Sequence, residues 1–224
     1  MTITRAVAAG LALAALVAAG DLNGRIVIQR QLSKRTLTPA VYSLRGTAPP
    51  AAVTSEPVNE FERTVVFVEG GKPPSPTPQT ATVEQRNSRF EPDLLILPVG
   101  SVVQFPNADP IFHNVFSLSK AHPFDLGYYP KGQSRSVTFD HAGVVQVYCH
   151  IHADMYGAIV ITASPWYGRP SSSDGSFAFQ NLPAGHYRVI AWHKVAGAHG
   201  VVVDVPETGA AQATIRVPID VEKP

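Results

Sequence analysis

The segment "VVQVYCHIHADM", residues 144–155, joins a strand pattern to a group of side chains that bind soft metals. It contains Cys149, the chain's one cysteine, and Met155, its one methionine besides the initiator. Alternate residues of a strand face opposite sides, so a strand that ends at Cys149 points the sulfur into the core and His150 away from it. A turn after the strand can then return His152 and Met155 to the sulfur.

Thiolate, imidazole and thioether groups form a soft ligand set that suits copper in both of its common oxidation states. A trigonal site of two histidines and one cysteine with a weak axial methionine is the blue-copper arrangement, which needs one more histidine. His113 in "NADPIFHNVFS" is the candidate, 36 residues before the cysteine. The alternative is that these are ordinary core residues. In an oxidising compartment, however, a lone thiol is a liability unless a metal holds it.

The rest of the chain favours strands over helices. Short apolar or alternating runs such as "RTVVFVEG", "DLLILPVG" and "YRVIAW" recur between Gly, Pro, Asn and Asp, and they are rich in Val, Ile, Phe and Tyr. No long amphipathic helical pattern interrupts them. The sequence therefore predicts an all-β chain.

Two longer stretches carry a family resemblance. "FEPDLLILPVGSVVQFPNADPIFHNVFS" and "KGQSRSVTFDHAGVVQVYC", followed by Cys-x-x-His-x-x-Met, resemble the plastocyanin-like cupredoxins, and the short ligand spacing is similar to amicyanin. The resemblance implies a Greek-key β-sandwich with one type 1 copper ion. It also implies that His113, Cys149, His152 and Met155 are the ligands and that Asn114 ties the two ligand loops together.

A second resemblance covers the C-terminal block. "SSSDGSFAFQNLPAGHYRVIAWH" has the turns and strands of the carboxypeptidase regulatory-like, transthyretin-like sandwich, a non-catalytic module. "LNGRIVIQR" and "RTVVFVEGG" resemble the opening strands of the same module. We therefore expect the N-terminal segment to complete the C-terminal sandwich, with the cupredoxin domain inserted between the two halves.

Composition changes give the expected domain boundaries. The Pro-rich run "GGKPPSPTPQTA" marks a linker because proline removes backbone donors and favours extended chain. The predicted segments are an export signal at 1–20, N-terminal strands at 22–70, the linker at 71–79, the cupredoxin domain at 80–163 and the second small β-sandwich at 164–224.

The N-terminus "MTITRAVAAGLALAALVAAG" is typical of an export signal that is cleaved near residue 20, since Arg5 precedes an apolar run that ends in small residues. A membrane anchor is the alternative, but the run is shorter than the roughly 20 apolar residues needed to span a bilayer. We expect a periplasmic or secreted protein with no stable membrane insertion after cleavage.

These features predict outer-sphere one-electron transfer with a redox partner protein rather than an enzyme. Four protein ligands leave no position open for substrate. The alternatives are a protein that stores or delivers copper, and a glycan- or protein-binding module with structural copper. A net charge of +1 without a basic cluster argues against a nucleic-acid partner. Oligomeric state stays open.

His150 raises the question of a second copper. A histidine directly after the cysteine resembles copper nitrite reductases, where that position binds another copper, but a second centre needs further histidine clusters. The sequence has none, so an exposed, solvated His150 is the preferred interpretation. We expect surface or packing roles for the remaining histidines, at positions 122, 141, 186, 193 and 199.

Overall fold

Strands make up nearly all the regular structure in the part of the chain that the structure describes. The computed structural model describes residues 19–29 and 58–217, in which the single helix is a 3₁₀ turn at Glu60–Arg63. The prediction of an all-β fold built from β-sandwiches is confirmed. Residues 1–18 of the predicted export signal lie outside the described residues, while Ala19 and Gly20 already belong to the first strand.

Ten strands form the central sandwich. They are β3 (Thr80–Thr82), β4 (Glu84–Arg86), β5 (Arg89–Glu91), β6 (Leu94–Pro98), β7 (Ser101–Pro106), β8 (His113–Ser117), β9 (Phe124–Tyr129), β10 (Ser134–Phe139), β11 (Gly143–Tyr148) and β12 (Tyr156–Thr162). One sheet has the order β10-β7-β3 and the other the order β6-β12-β11-β8-β9, while β4 and β5 form a separate hairpin.

Seven strands form the second sandwich. They are β1 (Ala19–Ile28), β2 (Thr64–Gly70), β13 (Tyr167–Gly168), β14 (Ser176–Pro183), β15 (Gly185–His193), β16 (Gly197–Val205) and β17 (Ala210–Val217). Their sheets have the orders β14-β1-β17 and β13-β2-β15-β16. Strand β1 pairs with β14 and β17, and β2 pairs with β15, so strands from both ends of the described chain share this sandwich.

The four larger sheets stack as four layers with a hydrophobic core in each of the three gaps. Strand β2 shows how the middle layers are built. Val66 and Val68 pack into the core of the second sandwich, whereas Val65 and Phe67 pack on the opposite side, against residues of the central sandwich. A strand buried on both faces explains why "TVVFV" is apolar without alternation.

The core between the sandwiches joins them over a continuous apolar area. It consists of residues from β2, β6, β12 and β15: Val65, Phe67, Leu94, Ala158, Val160, Ile190 and Trp192. Burying each of these larger side chains contributes roughly 1.5–3 kcal/mol relative to exposure. The two sandwiches therefore support each other through packing as well as through their covalent connections.

Strand β11 delivers the cysteine to the core of the central sandwich. Val145 and Val147 are fully buried, Gln146 between them is exposed, and Cys149 continues the buried side one residue after the strand ends. This period of two is the one that the sequence predicts.

Candidate metal centre

Cys149, the predicted cysteine ligand, lies at the start of a tight loop at one end of the central sandwich. Cys149 is 5% exposed, and its backbone N–H donates to the carbonyl of Met155 at 3.3 Å. The N–H of Met155 donates in turn to the carbonyl of His152 at 3.0 Å. These two bonds fold the loop back on itself, so that its backbone at Met155 returns to the end of β11.

Strand β8 brings the upstream histidine to the same point. His113 is completely buried, and its Nδ1 lies 3.7 Å from the Sγ of Cys149. The Nδ1 of His152 lies 4.0 Å from the same sulfur, and the two imidazole rings are 4.8 Å apart between centroids. One potential ligand atom from each residue falls within a group whose members are all within 4.8 Å of one another.

The two sulfur-to-nitrogen separations fit a single ion between the three atoms. With bond lengths of about 2.3 Å to sulfur and about 2.1 Å to nitrogen, as zinc shows in proteins, a trigonal arrangement puts sulfur and nitrogen about 3.8 Å apart. The two distances of 3.7 and 4.0 Å lie on either side of that value. The widest separation in the group, 4.8 Å, is longer than the roughly 3.6 Å that the same geometry gives between two nitrogens. One thiolate and two imidazoles around a buried point favour copper by softness and geometry.

Met155 is the fourth residue that the motif predicts. Its side chain is fully buried and belongs to the same core cluster as Cys149. A thioether needs no hydrogen-bond partner, so burial in the core that contains Cys149 carries no desolvation penalty of the kind a carboxylate would have. By contrast, Asp154 in the same loop is exposed to solvent, as expected for a turn residue.

Asn114 joins the two segments that carry the predicted ligands, one with His113 and the other with Cys149, His152 and Met155. These are called the ligand segments below. Its Oδ1 accepts a hydrogen bond from the backbone N–H of His150 at 2.7 Å, and its Nδ2 donates to Asp125 at 3.2 Å. Asn114 itself is completely buried. The residue after the predicted ligand His113 is thus bonded to the residue after Cys149, which is the contact that the family resemblance implies.

His150 faces away from the ligand atoms. Its ring stacks on Phe116 with centroids 3.9 Å apart and planes 5° from parallel, and its Nε2 lies 3.6 Å from a carboxylate oxygen of Asp125. The side chain is 44% exposed. His150 thus points toward solvent rather than into the core, as the strand alternation predicts.

Asp109 contacts the predicted ligand His113, a contact that the sequence pattern does not indicate. Its Oδ2 lies 2.8 Å from the Nε2 of His113, on the side of the ring opposite Cys149. Burial by itself raises the pKa of Asp109, but hydrogen bonds from the Ser88 backbone, from His113 and from the Asn87 backbone outweigh burial and leave the pKa below its ordinary value. The ionised carboxylate of Asp109 therefore contacts the Nε2 side of the buried His113 ring.

The loop before His113 is held by two further buried polar residues. The Nδ2 of Asn107 donates to the carbonyl of Ile111 at 2.9 Å and to that of Tyr129 at 3.0 Å. The hydroxyl of Tyr129 donates to the carbonyl of Phe105 at 2.9 Å, and burial raises the pKa of Tyr129 to about 12. Tyr129 is thus a protonated structural residue at any ordinary pH.

Asn107, Asp109 and Tyr129 were not predicted from the sequence as parts of the site. The Asn-x-Asp turn before the histidine was the available signal for the first two, since such turns bond side chains to nearby backbone. The partners of Asp109 at positions 87 and 88 could not be read from the pattern, because they come from a separate hairpin.

Comparisons with known proteins give partial likenesses. No family model and no curated protein matches the chain. Among solved structures, a copper-containing nitrite reductase from Thermus scotoductus SA-01 is 28% identical over 42% of this chain and 24% of its own, with a TM-score of 0.36. The chain thus spans about a quarter of that reductase's length.

Two smaller proteins are matched over most of their own length. A reduced amicyanin variant is 27% identical over 37% of this chain and 82% of its own, with a TM-score of 0.35. A purple cupredoxin from Nitrosopumilus maritimus is 22% identical over 37% of this chain and 99% of its own, with a TM-score of 0.34. These three likenesses cover less than half of this chain, and the resemblance of the second sandwich to the carboxypeptidase regulatory-like module stays a prediction.

Proposed function

We propose that the protein carries out outer-sphere one-electron transfer through a single type 1 copper ion held by His113, Cys149, His152 and Met155. The observation that carries this proposal is the convergence of one thiol sulfur and two imidazole nitrogens within 4.8 Å, with two of the three residues buried and His152 partly exposed. Copper, when bound there, supplies a couple between Cu(I) and Cu(II). The protein's own residues hold the ligands in place, exclude other molecules and provide a surface for a partner.

The protein's first task is to hold the ligands still. His113 is fixed by strand β8 and by Asp109, Cys149 by the end of β11, and the cysteine loop by its internal hydrogen bonds. Asn114 then bonds the two segments to each other. A cage that changes little between oxidation states keeps the reorganisation that accompanies electron transfer small.

The second task is to keep other molecules away from the ligands. His113 and Met155 are completely buried and Cys149 nearly so, so water and substrates have no approach from that side. Catalytic metal sites keep one coordination position open, whereas a centre with four protein ligands has none. This supports a carrier of electrons rather than an enzyme.

The third task is to offer a route to a partner. His152 is partly exposed, and the two ligand segments present Ile111, Phe112 and Ile151 to solvent at 45%, 56% and 50% exposure. Exposed large apolar side chains beside a functional group are typical of protein docking surfaces. We propose that a redox partner protein docks here and exchanges electrons through the edge of His152.

Export completes the proposal. The N-terminal sequence and the lone buried thiol support a periplasmic or secreted protein, in which the metal protects Cys149 from oxidation. No helix among the described residues is both long and apolar enough to cross a bilayer.

A redox titration combined with a chelator challenge tests the function directly. The copper-loaded protein is cycled with a chemical oxidant and reductant, and copper loss to a Cu(I) chelator is followed over the same period. Electron transfer predicts reversible one-electron cycling with slow loss. Rapid loss to the chelator would instead support copper delivery, and a metal that cannot be reduced would support a structural role.

A further inference from the structure

The buried carboxylate of Asp109 contacts the imidazole of His113 on the side away from the proposed metal position. Among the described residues it is the one charged group that contacts an imidazole of the proposed centre in this way. Its Oδ2 is 2.8 Å from the Nε2 of His113, while the other ring nitrogen, Nδ1, is 3.7 Å from the sulfur of Cys149. Asp109 is only 7% exposed. The imidazole therefore lies between a fixed negative charge and the proposed metal position.

The β4–β5 hairpin holds this carboxylate in place. The backbone N–H of Asn87 donates to Oδ1 at 2.7 Å, and the N–H of Ser88 donates to Oδ2 at 2.8 Å. Both turn residues have positive φ, 53° and 54°, the conformation of the tight turns that join paired strands. The two amides compensate for burial of the charge, so Asp109 accepts three hydrogen bonds with defined directions.

An ionised carboxylate can only accept a hydrogen bond, so the proton of the neutral imidazole must be on Nε2. That leaves the lone pair of Nδ1 directed toward the sulfur. A carboxylate on the far nitrogen also makes an imidazole more electron-donating, which favours the more highly charged state of a bound metal.

We propose that Asp109 is a positioning residue that fixes the tautomer of His113 and lowers the reduction potential of the copper centre, with the β4–β5 turn as its support. This rests on the proposed copper function for its redox part. The tautomer part concerns the protein alone.

Asp109→Asn tests the redox part, because it removes the charge while keeping the size of the side chain. Loss of such an outer partner typically lowers metal affinity by about 10–100-fold. We expect this loss mainly for Cu(II), and each tenfold loss relative to Cu(I) raises the potential of a one-electron couple by about 59 mV. Spectroelectrochemical titration measures the shift.

Asp125→Asn is the matched control. Asp125 also lies beside the ligand segments and its loss changes the net charge equally, but it bonds Asn114 and the backbone of Gly127 rather than a ligand imidazole. We expect a clearly smaller rise of potential in this variant. Equal shifts in the two variants, or no shift in Asp109→Asn, would overturn the redox part.

Nitrogen NMR of the metal-free wild type tests the tautomer without copper and without any variant. The proton of the His113 ring is expected on Nε2 near neutral pH, and a proton on Nδ1 would overturn the inference. A wild type that binds no copper would refute the proposed function alone, whereas a normal copper centre with the other tautomer would refute the role of Asp109 alone.

Discussion

Met155 is the proposed ligand with the weakest expected bond. Replacing it should therefore change the reduction potential of the copper without preventing copper binding. The thioether is fully buried in the core that contains Cys149. A thioether would add little to the strength of a site that a thiolate and two imidazoles also hold, but it would contribute to the stability of Cu(II).

We predict that Met155→Leu keeps copper binding and colour but raises the reduction potential. The two side chains have similar volumes, so the free energy of unfolding of the metal-free protein should fall by less than about 1.5 kcal/mol. The potential is measured by redox titration against wild type. An unchanged potential would show that the thioether does not contact the metal.

Single residues of this site differ in how well sequence can predict them. The convergence of Cys149 and the two histidines follows from a local motif plus one distant residue, and the structure brings these three together. Asp109 was not predicted as a site residue because its role depends on amides that lie 21 and 22 residues earlier in the chain. Such contacts depend on how a hairpin packs, which strand patterns do not determine.

At the scale of elements, a buried histidine ties the 3₁₀ turn to strand β15. The Nε2 of His193 lies 3.0 Å from a carboxylate oxygen of Glu60, and its Nδ1 accepts hydrogen bonds from the backbone N–H groups of Val195 and Ala196. Nδ1 must be unprotonated to accept them, so Nε2 carries the proton. The pKa of His193 is lowered because burial disfavours the charged ring, although Glu60 opposes this effect.

We predict that this histidine makes the fold less stable in mild acid. Because its folded-state pKa lies below the ordinary value of about 6.5, the unfolded chain takes up a proton first as pH falls. The stability that it contributes is present above about pH 6.5 and is lost as pH falls further. Denaturant unfolding of the metal-free protein, at about three pH values between about 7.5 and 5, measures how the free energy of unfolding depends on pH.

His193→Gln should weaken this pH dependence, since glutamine is neutral throughout. His186→Gln is the matched control, because His186 is in the same strand but its side chain is 86% exposed. The control should keep the wild-type dependence. A steep pH dependence that survives in His193→Gln would assign the effect to other groups.

At the scale of the whole molecule, the stack of four sheets makes the two sandwiches interdependent. Strands were predictable here because each layer has its own hydrophobic pattern, alternating where one face is exposed and continuous where both are buried. The core between the sandwiches was not predictable from these patterns, because a continuous apolar strand does not reveal which sheet covers its second face.

We predict that Leu94→Ala in this shared core lowers the free energy of unfolding by about 2–5 kcal/mol. Leu94 is completely buried in β6 and packs in the cluster that includes Val65 and Trp192 of the second sandwich. Leu118→Ala is the control, since Leu118 is 81% exposed and its loss should change the free energy by less than about 0.5 kcal/mol. Urea unfolding measures both, and equal effects would contradict the shared core.

The most direct test of the copper centre is the visible absorption spectrum of the protein after addition of Cu(II), for wild type and Cys149→Ala. A thiolate bound to Cu(II) gives intense charge-transfer absorption, so the wild type should be strongly coloured. Cys149→Ala should lose that absorption and keep at most a weakly coloured Cu(II) bound by His113 and His152. A copper-loaded wild type without the intense band, or a Cys149→Ala variant that retains it, would contradict a blue-copper site at the end of β11.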